Sequence, residues 1–480
     1  MRTNKVGIRI LNSACGVLAL LAADTASAWE FGYGPLNTLE EGRRRVTPVN
    51  ACPGGGYIAV GTQGLGTANP DVYLVRTGVG GGPIWEFSYD VQGMAFPDEG
   101  VALAQVPNNG GFVILSNTMV AAGIWAPALT QVNCNGAVVW SQIYPDIGGR
   151  NLRGHDLIRT NNPAGQLAVA GLSAGVADND AFLMRTNPVG ALIWSTSYDN
   201  SAPEHFNALT EAAPVAGQLV ADLVAVGQIN LLNNVQGLIA RVNGATGAIG
   251  AAPQCMAHHG GGAADVYNSV IRLVAGAGFA GQFAMTGITR NNPWLEDVWV
   301  VRSNNCAIAA QSRIGTAASF EGGHDLREVL VPLPAVVPAV QVGDLAITGY
   351  QRPGGVAVTN APLLMVAVGP LTPILANLFG GAGNEIGYSL AQNPGGFPAG
   401  FVISGLTTTN WGPADPQDLY LVNTVNAGGV ATLCSVPWNP GVFMPAWPSN
   451  PLAPVLLMPA QGFVVQTPAM PWVTPFQICP

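Results

Sequence analysis

A unit of about 55 residues recurs along this 480-residue chain, and it restricts the fold more strongly than any other feature of the sequence. Trp29, Trp85, Trp140 and Trp194 lie 56, 55 and 54 residues apart, in the contexts WEFGYG, WEFSYD, WSQIYP and WSTSYD. A glycine-rich apolar segment occurs seven times, as GGYIAVGT, GGFVILSN, GQLAVAGL, DLVAVGQI, GQFAMTGI, GDLAITGY and GFVISGLT. Each period holds about four segments in which apolar and polar residues alternate, as in half-buried strands. This arithmetic predicts an all-β fold, a seven-bladed β-propeller of four-stranded blades; a solenoid would have shorter and often helical repeats.

The repeat also sets the domain organisation, with the propeller over residues 29–437 and a Pro-rich C-terminal tail over 438–480. Eight segments match the outermost strand of a blade, but only seven match each of the other strands. Either residues 29–34 or residues 430–436 are therefore expected to complete the last blade and seal the ring. The tail fits no blade, so we expect it to be packed on or strapped to the propeller, with a strand at 462–466.

The composition excludes a disordered chain despite its 62 glycines and 37 prolines. Disorder requires low hydrophobicity and high charge, whereas 49% of these residues are hydrophobic and 9% are charged. Short apolar strands joined by Gly/Pro turns account for both properties.

Residues 1–28 have the pattern of a signal peptide. A basic start with Arg2, Lys5 and Arg9 precedes a short apolar core, and Ala26-Ser27-Ala28 provides a cleavage site. The apolar run is shorter than the roughly 20 residues that span a bilayer, and no transmembrane segment is expected. The predicted location is therefore outside the cytoplasm: periplasmic, cell-surface or extracellular.

The charge of the mature chain excludes nucleic acid as a partner. Without residues 1–28 the chain keeps 18 − 3 = 15 arginines and 27 − 1 = 26 acids, a net charge near −11. Such a protein repels polyanions. The run Arg43, Arg44 and Arg45 is expected to be solvated or paired with acids.

Six cysteines remain in the exported chain, an even number that predicts disulfides with fifteen alternative connectivities. The spacing does not resemble that of a zinc site. The pair Cys434–Cys479 is our expectation, since it would hold the tail; the other cysteines are Cys52, Cys134, Cys255 and Cys306.

The motif D-x-Y-L-V-R-T…G-x-x-x-W, followed by D-E and G-G-Y-I-x-V-G, resembles secreted bacterial β-propeller repeat proteins of the pyrroloquinoline-quinone-like superfamily over roughly 29–434. The segment ARVNGATG at 240–247 looks like the tryptophan-docking motif of quinoproteins. The resemblance implies that the strand after each acidic pair is innermost and that the Trp strand is outermost. For blade 1 it implies strands near 41–48, 56–62, 72–78 and 83–90. Quinoprotein dehydrogenases typically have adjacent cysteines; this chain has none, so no cofactor is expected.

A polar pair precedes one strand in every unit and provides the candidate ligand-binding ring on the upper face of the propeller. Carboxylates around a channel mouth could hold Ca²⁺ or bind sugar hydroxyls. The structural alternative is that each acid caps a turn by accepting backbone N–H groups. The candidate residues are Glu41, Asp98, Glu99, His155, Asp156, Glu204, His205, Asp265, His324, Asp325 and Glu385.

Histidines interrupt the repetition of acids in this ring. They suggest an alternative function, that of an enzyme at the channel mouth. Such an enzyme, quinoprotein-like or lyase-like, would act on polysaccharide or with a bound cofactor, and would need His155, His205, His324 and Arg153 to converge. The chain has no G-x-S-x-G, H-E-x-x-H or P-loop motif, so no catalytic residue is assigned. Whether the histidines bind a metal is left open.

The function predicted from sequence is an exported, non-enzymatic, monomeric propeller that acts as a binding or scaffold module for a protein or glycan partner. Three tryptophans outside the repeat position, which we place in loops, are candidate aromatic contacts or packing residues: Trp125, Trp294 and Trp411. A purely structural surface protein whose tail docks elsewhere is a third alternative.

Overall fold

Seven antiparallel sheets follow one another along the chain, and the innermost strands of consecutive sheets are in contact, including the last with the first. This closed contact pattern is a seven-bladed β-propeller with four strands per blade, as the repeat predicts. The computed structural model describes residues 9–10, 29–34, 40–92, 96–174, 178–250, 252–261, 264–276, 278–292, 295–316, 318–333, 339–354, 358–379, 383–393, 400–408, 417–425, 436–437, 441–443, 449–451, 456–459 and 476–477.

The first four blades are given from the innermost to the outermost strand. They are Glu40–Pro48, Tyr57–Gln63, Asp71–Thr77 and Pro83–Tyr89; Asp98–Val106, Gly111–Ala121, Ile124–Val132 and Val138–Ile143; Asn151–Asn161, Ala164–Ala174, Asn179–Thr186 and Leu192–Asp199; Glu204–Glu211, Leu223–Leu231, Asn234–Val242 and Cys255–His259.

Blades 5 to 7 follow in the same order. They are Asp265–Arg272, Phe283–Asn292, Leu295–Asn304 and Ala307–Gly315; Ser319–Glu328, Leu345–Pro353, Ala361–Val366 and Pro373–Phe379; Glu385–Gln392, Gly400–Thr407, Asp418–Val425 and Trp29–Tyr33. Within the described ranges, no helix is long and apolar enough to cross a membrane.

The N-terminal strand closes the ring, which decides between the two alternatives left by the sequence. Trp29–Tyr33 pairs antiparallel with Asp418–Val425, from Trp29 opposite Asn423 to Tyr33 opposite Leu419. Because the first and last segments of the propeller share one sheet, the third strand of blade 7 has no open edge.

The W-x-x-x-Y motif, present at the outer strands of blades 1, 2, 3 and 7, ties those strands to the next blade. Trp194 donates its indole N–H to the Gly244 carbonyl at 2.9 Å, and the Tyr198 hydroxyl donates to the Gly247 carbonyl at 2.6 Å. Gly247 lies in the turn of blade 4 at φ +73°, where a Cβ would come within 2.8 Å of the Trp194 ring. The period of the repeat therefore reflects inter-blade contacts as well as the strands themselves.

Two disulfides, Cys52–Cys134 and Cys255–Cys306, join blade 1 to blade 2 and blade 4 to blade 5. They indicate an oxidising, exported environment. The predicted pair Cys434–Cys479 lies outside the described residues.

Short tail strands pair antiparallel with the outer strands of five blades. In chain order, the pairings follow the ring backwards through blades 6, 5, 4, 3 and 1. The tail strands are Val436–Pro437, Gly441–Phe443, Ser449–Pro451, Leu456–Pro459 and Phe476–Gln477. The strand predicted at 462–466 lies outside the described residues.

Candidate functional site

The central channel is lined by the seven innermost strands, which all run in the same direction between two faces. We call the upper face the one that carries the connections between blades and between second and third strands. The lower face carries the other two connections of each blade. Both the predicted ring and the largest cavity described below lie on these innermost strands.

Each innermost strand of blades 2 to 7 contains a β-bulge at one equivalent position, where one extra residue interrupts the register. In blade 3 the shift falls between Gly154 and Asp156, so His155 is the bulged residue. The equivalent residues of the other blades are Val101, Asn207, Asn268, His324 and Tyr388.

The bulged residues form hydrogen bonds from blade to blade. His155 Nδ1 lies 2.9 Å from the Phe206 carbonyl oxygen, and Asn207 donates to the Tyr267 carbonyl at 2.9 Å. Since a carbonyl only accepts, Nδ1 is the protonated nitrogen of His155. Asn268 and His324 make the same contact with the next blade, at 2.9 and 3.2 Å. The two histidines thus occupy the same structural position as asparagines.

The position of the bulge shows that the polar pairs of different blades were aligned incorrectly from the sequence. Four of the predicted acids lie three residues before the bulged residue of their strand: Asp98, Glu204, Asp265 and Glu385. The pairs His155-Asp156 and His324-Asp325 lie at the bulge itself, deeper in the channel. Sequence reasoning missed the true equivalent in blade 6, which is the fully buried Glu321. The glycine before the bulge, present in blades 2, 3, 6 and 7, is the signal that would have found it.

These acids accept hydrogen bonds from the upper-face connections. Val91 N–H donates to Asp98 at 2.7 Å, Asn200 N–H to Glu204 at 2.8 Å and Gly261 N–H to Asp265 at 2.9 Å. Thr316, in the connection before blade 6, donates its hydroxyl to Glu321 at 2.9 Å. Glu385 differs, because its donor at 3.0 Å is the hydroxyl of Thr407, its partner residue on the second strand of blade 7. The other contacts match the turn-capping alternative.

Burial raises the pKa of several of these carboxyl groups. Desolvation raises the pKa of Glu204 to about 8, and the pKa values of Asp98 and Glu321 to about 7. It raises the pKa of Asp265 to about 6. Near neutral pH these groups are therefore partly or mostly protonated.

The remaining members of the ring are dispersed. Glu99 accepts from Arg153 at 2.9 Å, and His205 packs edge-on against His155 with ring centroids 5.5 Å apart. Glu41 lies in the innermost strand of blade 1, and its backbone pairs with Thr62.

Of the four residues that the enzyme alternative needs together, the structure shows contact only between His155 and His205 among the described side chains. The His324 ring packs instead on Tyr350 and Tyr388.

Two aspartates at the bulge anchor ion pairs that fill the channel midway. Arg45, on the innermost strand of blade 1, donates to Asp156 of blade 3 at 2.9 Å, which confirms that this arginine is paired with an acid. Arg327 donates to Asp325 at 2.8 Å, and Ser269 and Ser389 donate to the same carboxylate. The cavity left among these groups measures about 20 Å³.

Carboxylates also gather at the third strand of blade 1, where oxygen atoms of Asp71, Asp90 and Asp98 lie within 4.8 Å of one another. Burial, with the charge of Asp90, raises the pKa of Asp71 to about 6. Such oxygens suit a hard cation, but Ca²⁺ takes six to eight of them. Ca²⁺ binding stays a prediction.

One of the three candidate aromatic contacts lies in a different kind of element from the one predicted. Trp125 lies in the third strand of blade 2 rather than in a loop. It is 8% exposed, and the Arg153 guanidinium covers its ring at 4.0 Å. Packing therefore accounts for Trp125, while Trp294 and Trp411 lie outside the described residues.

The lower mouth of the channel contains a cavity of about 400 Å³, which the sequence did not predict. Arg45, Arg159 and Arg272 line it together with Glu211 and Val274. Exposed apolar side chains lie on the same face, on the inner-to-second-strand connections of blades 4, 5 and 6: Val215, Leu219, Val274, Leu330 and Val342.

These observations define the class of the protein, a seven-bladed β-propeller with a channel filled midway by ion pairs. Neither the protein-family models nor the curated protein sequences match this chain. Solved structures do: Chaetomium thermophilum Sqt1 bound to the N-terminus of ribosomal protein L10 is 11% identical with a TM-score of 0.43, over 81% of this chain and 97% of that one. A second Sqt1 structure from the same organism is 12% identical with a TM-score of 0.40, over 78% and 93%. At these values the likeness is one of fold, and the quinoprotein-like assignment stays a prediction.

Proposed function

We propose that the protein is an exported, non-enzymatic scaffold that binds a protein partner through its lower face. The observation that carries this proposal is the position of the exposed apolar side chains. Leu219 is 86% exposed and Val274 is 53% exposed, and both lie on lower-face connections, with Val274 at the rim of the 400 Å³ cavity. Several exposed apolar side chains on one face of a protein are typical of an interaction surface.

The polar groups of the upper face support the same choice, because they are engaged inside the fold. The buried acids accept from connections, and the bulged histidines donate to neighbouring blades. A general acid or base must instead reach a substrate proton. A glycan partner is less well supported, since Trp125 packs beneath Arg153. The proposal includes export by the predicted signal peptide. It also includes membership of the pyrroloquinoline-quinone-like repeat proteins.

The proposal is tested by following the native complex. In extracts of the producing cell envelope, the wild-type protein should migrate in size-exclusion chromatography above its monomer mass. Leu219→Asp combined with Val274→Asp should shift it to the monomer position, because a charge on the apolar surface opposes desolvation.

Leu232→Asp is the matched control, since Leu232 is 99% exposed in an upper-face turn. It should leave the complex intact. A monomeric wild type, or an equal effect of both variants, would refute the lower face as the binding surface.

A further inference from the structure

Two arginines on the lower face interrupt a structural pattern that blades 4, 6 and 7 follow. In blades 4, 6 and 7 the innermost strand ends in Glu211, Glu328 or Gln392, and each residue pairs with the first apolar residue of the second strand. Arg159 and Arg272 hold the same register position, opposite Leu167 and Phe283.

The acceptor side chains at this position cap the connection of the preceding blade. Glu211 accepts from the backbone N–H groups of Asn161 and Asn162, both at 2.8 Å. Glu328 accepts from three consecutive N–H groups at 2.7 to 2.9 Å, and Gln392 accepts from Leu330 N–H at 2.7 Å. A guanidinium has only donors, so Arg159 and Arg272 cannot perform this task.

Among the residues that the structure describes, neither arginine has gained another partner. Across the described ranges, the guanidinium groups of Arg159 and Arg272 form no ion pair or hydrogen bond. Arg45, the third arginine of the cavity, is paired with Asp156. Glu211, the acid of the cavity, accepts hydrogen bonds from backbone amides with both oxygens, and its charge also interacts with that of the buried Arg185. The cavity thus presents two uncompensated cations in a chain whose net charge is −9.

The shape of the cavity suits a small group rather than a flat surface. About 400 Å³ is within the usual range for ligand pockets, and Arg forks match the two oxygens of a carboxylate. Val274 lines the cavity together with Arg272, and it is 53% exposed on the face that carries the other exposed apolar side chains.

We propose that Arg159 and Arg272 bind the side-chain carboxylate of an acidic peptide segment, which enters the lower mouth of the channel while its apolar neighbours contact the surrounding connections. This inference rests on the proposed function, since it names the chemistry by which the protein partner is recognised.

The test uses purified residues 29–480 and a fluorescein-labelled hexaglutamate peptide at low ionic strength, with anisotropy as the readout. The wild type should bind the peptide, and Arg159→Gln combined with Arg272→Gln should weaken binding about tenfold or more, the loss expected for charge-assisted hydrogen bonds. Arg159→Lys with Arg272→Lys should fall between them, because lysine keeps the charge but not the fork.

Arg153→Gln is the matched control, because Arg153 is an upper-face arginine already paired with Glu99. It should bind like the wild type. Equal binding by the double glutamine variant at an unchanged unfolding midpoint would overturn the proposal. So would equal binding of hexaglutamine, or binding of hexagalacturonate without hexaglutamate.

The inference and the proposed function fail in different ways. If the purified protein does not bind hexaglutamate but the native complex still depends on Leu219 and Val274, the carboxylate site is refuted and the lower-face scaffold stands. If the wild type is monomeric in envelope extracts, the scaffold is refuted whatever the peptide does.

Discussion

Side chains near the channel combine burial with hydrogen bonds to the backbone, and this combination sets their chemistry. Glu204 is fully buried, accepts from Asn200 N–H and has a raised pKa. His155 donates to a backbone carbonyl of the next blade. Residue types that suggest catalysis in a sequence therefore hold connections and neighbouring strands in place.

Glu204→Gln should remove part of the pH dependence of stability. Burial raises the pKa of Glu204 to about 8, so the folded protein keeps a proton that the unfolded chain releases above about pH 4.3. The free energy of unfolding of the wild type should fall as pH rises between these values, by up to about 1.4 kcal/mol per unit from this group. In urea titrations from pH 5 to pH 9, the variant should gain stability relative to the wild type as pH rises. Parallel curves would contradict the assignment.

His155→Asn should preserve stability, whereas His155→Ala should lower the free energy of unfolding by about 1–3 kcal/mol. Asparagine occupies the same bulge position in the next blade, where Asn207 makes the equivalent bond to Tyr267. Alanine would leave the Phe206 carbonyl without its donor. Denaturant unfolding of the two variants checks this; equal losses would mean that the histidine ring matters for another reason.

The sequence marks the frame of these residues only weakly, by the glycine before the bulge in blades 2, 3, 6 and 7. A bulge adds one residue to one strand only, and the resulting shift of one position is easily overlooked in strands of eight to eleven residues. The pairs His155-Asp156 and His324-Asp325 therefore looked equivalent to Asp98-Glu99, although the register separates them. The capping position of Arg159 and Arg272 was equally hidden, because a single polar residue at a strand end carries no periodic signal.

At the scale of strands and blades, inter-blade ties repeat around the ring. The outer-strand tyrosine donates to the following blade at Tyr33, Tyr89, Tyr144 and Tyr198. The sequence predicts these elements well, because tryptophan and tyrosine recur at fixed spacing with the turn glycines. Blade 1 was predicted to within one residue at every strand start.

Replacing Cys255 and Cys306 by alanine should lower the free energy of unfolding by about 2–5 kcal/mol, the usual cost of losing a native disulfide. The bond joins blades 4 and 5 on the lower face, near the apolar connections. Thermal unfolding with and without reductant measures the effect. A midpoint that is insensitive to both the substitutions and the reductant would contradict a structural role.

For the whole molecule, closure depends on one N-terminal strand. The sequence predicted seven blades from the seven glycine-rich segments, and the surplus Trp segment indicated a shared blade. The sequence could not show which of the two segments, 29–34 or 430–436, closes the ring. Both have the composition of an outer strand, and they lie at opposite ends of the propeller.

Deleting residues 29–34 should open the ring. The Asp418–Val425 strand would lose its partner and expose an unpaired edge, which promotes association. Light scattering after size exclusion should show oligomers or aggregates, and the peptide WEFGYG added in trans should reduce them. A monomeric, stable deletion variant would contradict closure by this strand.

The lower face as a protein-binding surface is the central claim, and photo-crosslinking from single positions tests it most directly. A photoreactive amino acid replaces Leu219 in one variant and Leu232 in another, both highly exposed but on opposite faces. In native envelope, position 219 should give a discrete crosslinked protein species that position 232 does not. The same species from both positions, or a species from position 232 alone, would contradict the claim.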